Sequence, residues 1–286
     1  KDSGTLHAEF AIPTGGVAFI PEGVHIEYYY QVRNIRGEHY ESQLFHLDYL
    51  DPQYNWQRLD AGLFEVLWHD RTEEAVRTVA NQVSQGLQAV SNLLGETSSY
   101  QMRAVILNDR REANQAFPLV SQTATRGHLY GGFAYPDYDV FVLSGLSVDG
   151  MLHEMTHLLI GDVIDSPMAR IPAWLNEGLA MYFETGPDRS EKAVANASQS
   201  DRLLSLRNMG AVPGIPSDVR LFYAQSWSIV DFAIETFGSR RMSKLLSAIN
   251  SGKSIEDAIS NTYGISIDKF ESRWRKSIEG DTSITY

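Results

Sequence analysis

The stretch His153-Glu154-Met155-Thr156-His157, with Glu177 twenty residues further on in Trp174-Leu175-Asn176-Glu177-Gly178-Leu179-Ala180-Met181-Tyr182-Phe183-Glu184, decides how this chain is read. Residues four apart lie on one face of a helix, so the imidazoles of His153 and His157 can reach one metal ion, with Glu154 beside them near a water held there. Leu152, Met155, Leu158 and Leu159 give that helix an apolar side. The ordinary alternative is a pair of solvated or core histidines. A catalytic zinc site needs a third protein ligand and one open position. Glu177 lies among Leu175, Leu179 and Met181, where a charge at the edge of a core requires a cation or hydrogen-bond partners. Pro172 suits the first turn of the helix that carries it.

Working outward, apolar spacing predicts helices over Val148–Val163, Pro172–Glu184 and Tyr223–Thr236. Short amphipathic helices follow over Arg240–Asn250, Ile255–Thr262 and Ile267–Ile278, separated by Gly252 and Gly264. Before the motif, Met102–Leu107 and Asp139–Leu143 read as strands with turn-rich Thr125–Asp137 between them, and Thr72–Leu94 reads as a helix ended by Gly95. From Thr5 to Trp68 polar and apolar residues alternate in short aromatic-rich runs, the pattern of half-buried antiparallel strands. The chain is therefore expected to be α+β, with a β-rich module over residues 1–68 and a catalytic domain over 69–286. No internal repeat is evident.

The 286 residues are 43% hydrophobic and 21% charged, enough to bury a core. A formal net charge of −12 disfavours nucleic acid or an anionic membrane surface as partner, and no apolar run is long enough to span a bilayer. Cysteine is absent, so any metal chemistry falls to eight histidines and the carboxylates. The opening Lys1-Asp2-Ser3-Gly4 has neither methionine nor an apolar signal core, and we expect a trimmed or processed extracytoplasmic protein. Asp149 reads as a helix-start residue. His7, His25, His39, His46, His69 and His128 show no ligand spacing and read as structural or exposed.

His153–His157 together with Trp174–Glu184 resembles the gluzincin metallopeptidases. The Trp-Leu-Asn-Glu-Gly segment is similar to that of the aminopeptidase N family, and the helical tail to that of the peptidase MA-like group. The resemblance spans about Leu63–Ile278. It implies a thermolysin-like catalytic domain holding one Zn²⁺ on His153, His157 and Glu177, with Glu154 as general base for a metal-activated water. It also assigns Tyr223, in Leu221-Phe222-Tyr223-Ala224-Gln225, to the start of a helix as donor to the developing oxyanion, a role worth about 2.7–4 kcal/mol; a core tyrosine is the alternative. Glu184, on the same helical face as Glu177, either orients one of the imidazoles or is an exposed helix-end carboxylate.

The run Gly131–Pro136 stands where gluzincins have a substrate-pairing edge strand. The Gly-Ala-Met-Glu-Asn segment with which aminopeptidases hold a free amine is missing. The expected activity is thus a zinc-dependent peptidase acting on peptide or protein substrates, endopeptidase rather than aminopeptidase. A catalytically silent protein-binding module and a zinc hydrolase of another substrate are the competing readings.

Overall fold

The computed structural model describes residues 7, 9–95, 101–118 and 131–280. Two small antiparallel pairs come first: β1 (His25–Tyr28) with β4 (Phe45–Asp48), and β2 (Gln31–Arg33) with β3 (His39–Glu41). The main sheet joins β5 (Gln57–Asp60), β6 (Phe64–Trp68), β7 (Met102–Leu107), β8 (Gly132–Tyr135) and β9 (Val140–Ser144) in the order β5-β6-β7-β9-β8. Its three central strands are parallel, and both edge strands are antiparallel to their neighbours.

The division expected between residues 68 and 69 runs through this sheet, because β5 and β6 pair with β7. Alternation alone looks the same whichever sheet a strand joins, so the sequence could not separate these two strands from the ones before them. What lies outside the main sheet is the segment up to β4.

Side-chain alternation explains how the sheet is covered. Phe64, Val66, Trp68, Met102, Ala104, Ile106, Phe141 and Leu143 face the helices in the larger core. Leu67, Val105, Leu107, Val140 and Val142 face the opposite way, against Val24 of the N-terminal segment and Ala113 and Ala116 of α2 (Arg110–Ala116). Strands buried on both faces read as nearly continuous apolar runs, as β7 and β9 do. Arg103 and Glu65 are register partners that point into the second layer, where Arg103 Nη2 lies 3.0 Å from Glu65 Oε2 and Nη1 2.8 Å from Asp48 Oδ1. This bridge fastens the N-terminal segment to the sheet. Removing one partner of such a pair leaves a charge without compensation, at a cost of about 3–5 kcal/mol.

The first helix, α1 (Glu73–Leu94), begins where Thr72 caps Ala75 N–H and ends at Gly95 with φ +84°. After the sheet come α3 (Val148–Val163), α4 (Ala173–Tyr182), α5 (Asp188–Gln199) and α6 (Pro216–Phe237). The tail is α7 (Ser239–Asn250), α8 (Ile255–Tyr263) and α9 (Ile267–Ile278), the last two capped by Ser254 and Ser266.

Three helix boundaries differ from expectation. Pro172 is the N-cap of α4 rather than a first-turn residue, and the helix ends at Tyr182, so Glu184 lies in the turn beyond it. Helix α6 starts at Pro216, which places Tyr223 well inside the helix instead of at its start. The proline fits the first helical position because it lacks the N–H that would go unpaired there. No helix among the described residues is long and apolar enough to cross a membrane.

Candidate active site

Helix α3 is capped by Ser147, whose hydroxyl accepts from Gly150 N–H at 3.1 Å. Asp149 sits in the first turn and accepts from Thr185 N–H (3.0 Å) and the Thr185 hydroxyl (2.8 Å), which ties the turn after α4 back to the motif helix. Met151, Leu152, Met155, Leu158 and Leu159 are buried against the core, leaving His153 and His157 turned toward a cavity. Burial of each such apolar side chain stabilises the helix position by about 1.5–3 kcal/mol.

Helix α4 brings in Glu177. It packs against α6 so closely that a methyl group on Gly178 would lie 2.4 Å from Ser226 O and 2.6 Å from Val230 Cγ2. The glycine beside Glu177 is therefore a packing requirement. The same contact carries Tyr223 to the cavity wall.

His153 Nε2 and His157 Nε2 stand 3.2 Å apart, and Glu177 Oε2 lies 3.6 and 3.5 Å from them. The far side of each ring is held. His153 Nδ1–H donates to Glu184 Oε1 at 2.6 Å, and His157 Nδ1–H to Asn176 Oδ1 at 3.2 Å. Both Nε2 atoms thus face Glu177, and each offers a lone pair to a metal ion once its proton is displaced. Donors about 2.0–2.2 Å from a tetrahedral ion stand roughly 3.3–3.5 Å apart, so the triangle fits a zinc ion, and the donor set leaves an open position. Sequence spacing anticipated Glu184 as a possible partner of an imidazole. It did not single out Asn176, although that residue stands one helical step from Glu177.

Charge in the cluster is strongly coupled. Burial works against a charged His153, yet hydrogen bonds to Glu177 and Glu184 outweigh it and push the imidazole up to about 10. Burial likewise raises Glu177, but the two histidines draw it down to about 2. Glu154, 6% exposed, is raised chiefly by burial, with the neighbouring imidazoles opposing the shift.

Glu154 lies under strand β8. A Cβ on Gly132 would come within 2.6 Å of Glu154 Oε1, so the absence of a side chain there gives the carboxylate its place. The cavity, of about 590 Å³, is bounded by Gly131–Ala134 on one side and by α3, α4 and Tyr223 on the others; Pro136, Ile160, Ile164 and Ile171 make it apolar at one end.

His153, Glu154, His157, Glu177, Glu184 and Tyr223 therefore all line one cavity, and Asp149 lies at its margin. Of the remaining histidines, His69 is buried, while His7, His25, His39 and His46 are exposed. His128 lies outside the described residues.

No curated protein matches the chain. Among solved structures it is similar to the M1 zinc metallopeptidase from Deinococcus radiodurans (12% identity, TM-score 0.47), covering 93% of this chain and 63% of that one. It is also similar to yeast LTA4 hydrolase in complex with bestatin (12% identity, TM-score 0.44), covering 92% of this chain and 44% of that one. The chain thus spans less than two thirds of either protein. The sequence profile of the peptidase MA superfamily matches residues 120–280, more than half of the chain and all of the helices that build the cavity, and the chain belongs to that superfamily.

Proposed function

We propose that this chain is a zinc-dependent metallopeptidase that hydrolyses internal bonds of extended peptides. The observation that carries the reading is the convergence of His153, His157 and Glu177 on one point of a cavity that also contains Glu154 and Tyr223. His153, His157 and Glu177 would hold the zinc ion, which would supply a Lewis acid for the scissile carbonyl and for the attacking water. Glu154 takes the proton of the attacking water and hands it to the leaving amine; its raised pKa suits both steps. Tyr223 donates its hydroxyl to the oxyanion that develops on the carbonyl. Glu184 and Asn176 keep the imidazoles in the ligating orientation.

Two features support an extended substrate cleaved internally. Strand β8 is an edge of the main sheet, and Ser144 N–H bonds to Gly131 O. Hydrogen bonding alternates along an antiparallel pair, so Gly132 and Ala134 direct their backbone groups away from β9, toward a peptide that adds as a further strand. The acidic residues of the cavity are already engaged: Asp149 with Thr185, Glu177 with the imidazoles, Glu184 with His153, and Glu154 as the base. Among the described residues none is left over to hold a free N-terminal amine.

The decisive experiment combines metal analysis with Glu154→Gln. The variant should keep its zinc and lose turnover on unfolded protein by about 10²–10⁴-fold. Failure of the wild-type chain to hold zinc after reconstitution overturns the metal assignment. Inability to cleave N-acetylated peptides, with free-amine peptides still cut, overturns the endopeptidase assignment.

A further inference from the structure

A second set of two histidines and a glutamate lies on the small sheet formed by β1 and β4, far in sequence from the cavity. His25 faces Asp48 and Glu27 faces His46 across the strands. Positions two apart share a face, so all four side chains lie on the same side of the pair. His25 Nε2 is 3.2 Å from His46 Nδ1; Glu27 Oε1 is 3.2 Å from His46 Nδ1 and 4.0 Å from His25 Nε2. The outer nitrogen of His25 is occupied as well, its Nδ1–H donating to Asp48 Oδ1 at 2.9 Å. Asp48 is in turn gripped by Arg58 and Arg103. Carboxylate, imidazole and ligand point are thus in line, the arrangement that fixes a histidine for metal binding.

We propose that His25, Glu27 and His46 form a second binding site for a divalent transition metal, distinct from the catalytic cluster. Two nitrogens and one oxygen suit Zn²⁺ and its neighbours in the first row, whereas Ca²⁺ and Mg²⁺ prefer all-oxygen sets. All three side chains are exposed, so solvent can complete the coordination. An ion there ties β1 to β4 across the intervening β2–β3 hairpin. It supplies the cross-link that a chain without cysteine cannot make with a disulfide. The bland alternative is that the two rings merely share a proton.

The test uses the full chain carrying His153→Ala and His157→Ala, which removes the catalytic ligands, and Zn²⁺ alone as probe. Equilibrium dialysis at low micromolar zinc should leave about one ion per chain, with a rise in Tm, and both should disappear when His46→Ala is added. Absence of bound zinc, or equal binding with and without His46→Ala, overturns the site. In parallel, the otherwise unaltered chain should hold about two zinc ions and the single His46→Ala variant about one, with turnover unchanged. Equal zinc content of those two proteins also overturns the proposal, and this pair of measurements stands even if the double variant does not fold.

Discussion

The cluster on α3 and α4 and the cluster on β1 and β4 use the same donors, and in both the histidine nitrogens stand 3.2 Å apart. Their frameworks differ. In the first, side chains only 13–17% exposed are held by two buried helices and open into a cavity. In the second, side chains 40–54% exposed rest on a two-stranded ribbon. The same donor types thus line a cavity in one place and lie on an exposed surface in the other. Ligands alone do not make a catalytic centre; a base, an oxyanion donor and a wall for the substrate must share the space.

Tyr223→Phe tests that distinction most severely. If its hydroxyl serves the oxyanion as proposed, turnover should fall by about 10²–10³-fold while zinc content stays the same. Unchanged turnover would return Tyr223 to the role of a wall residue and make the two clusters more alike. A smaller effect is expected from Glu184→Gln, which should weaken zinc binding at His153 and His157 by about 10–100-fold and leave binding at His46 untouched. Titration of zinc against a competing chelator separates the two sites; equal weakening at both would mean that the clusters are not independent.

The smallest effect concerns the region before β1. Burial, reinforced by the nearby Asp51, raises Glu22 from 4.5 to about 7. The folded chain then binds more protons than the unfolded chain between these values, so the contribution of Glu22 to stability is fully present below 4.5 and is lost as the pH rises through 7. Glu22→Gln should therefore raise Tm at pH 8, by about 1 kcal/mol of stability after solvent screening, and change little at pH 4.5. Melting curves at both pH values check the sign, and a variant less stable at pH 8 would contradict it.

How visible each cluster was in the sequence follows from its framework. His153 and His157 are four apart on one helix, so their meeting is a local property that the motif already contains. His25 and His46 meet only through the register of β1 with β4, which apolar alternation and the connection between the strands set, not the spacing of the two histidines. Their spacing alone therefore points to structural or exposed histidines. Helices with end signals and a broad apolar stripe were legible: Thr72 and Gly95 bound α1, and Ser254 and Gly264 bound α8. Helix α5 buries only Val194 and Ala197, too little for a periodic signal. The start of α6 is marked by Pro216-Ser217-Asp218 and not by its apolar run, which is clear only from Tyr223 onward. The clearance that Gly132 gives Glu154 and the hold of Asn176 on His157 are not legible in the sequence, because each depends on one neighbour from elsewhere in the chain.

The contact at Gly178 has a consequence for how this site can change over time. One absent methyl sets the clearance between the helix that carries Glu177 and the helix that carries Tyr223, much as a shim sets the gap between two machined parts. Rates depend on reacting groups placed to within about an ångström. Substitutions along the outer faces of α4 and α6 can accumulate, but their shared seam cannot thicken without moving the tyrosine relative to the ligand. The smallest residue in the motif is therefore the gauge to which the larger ones are set.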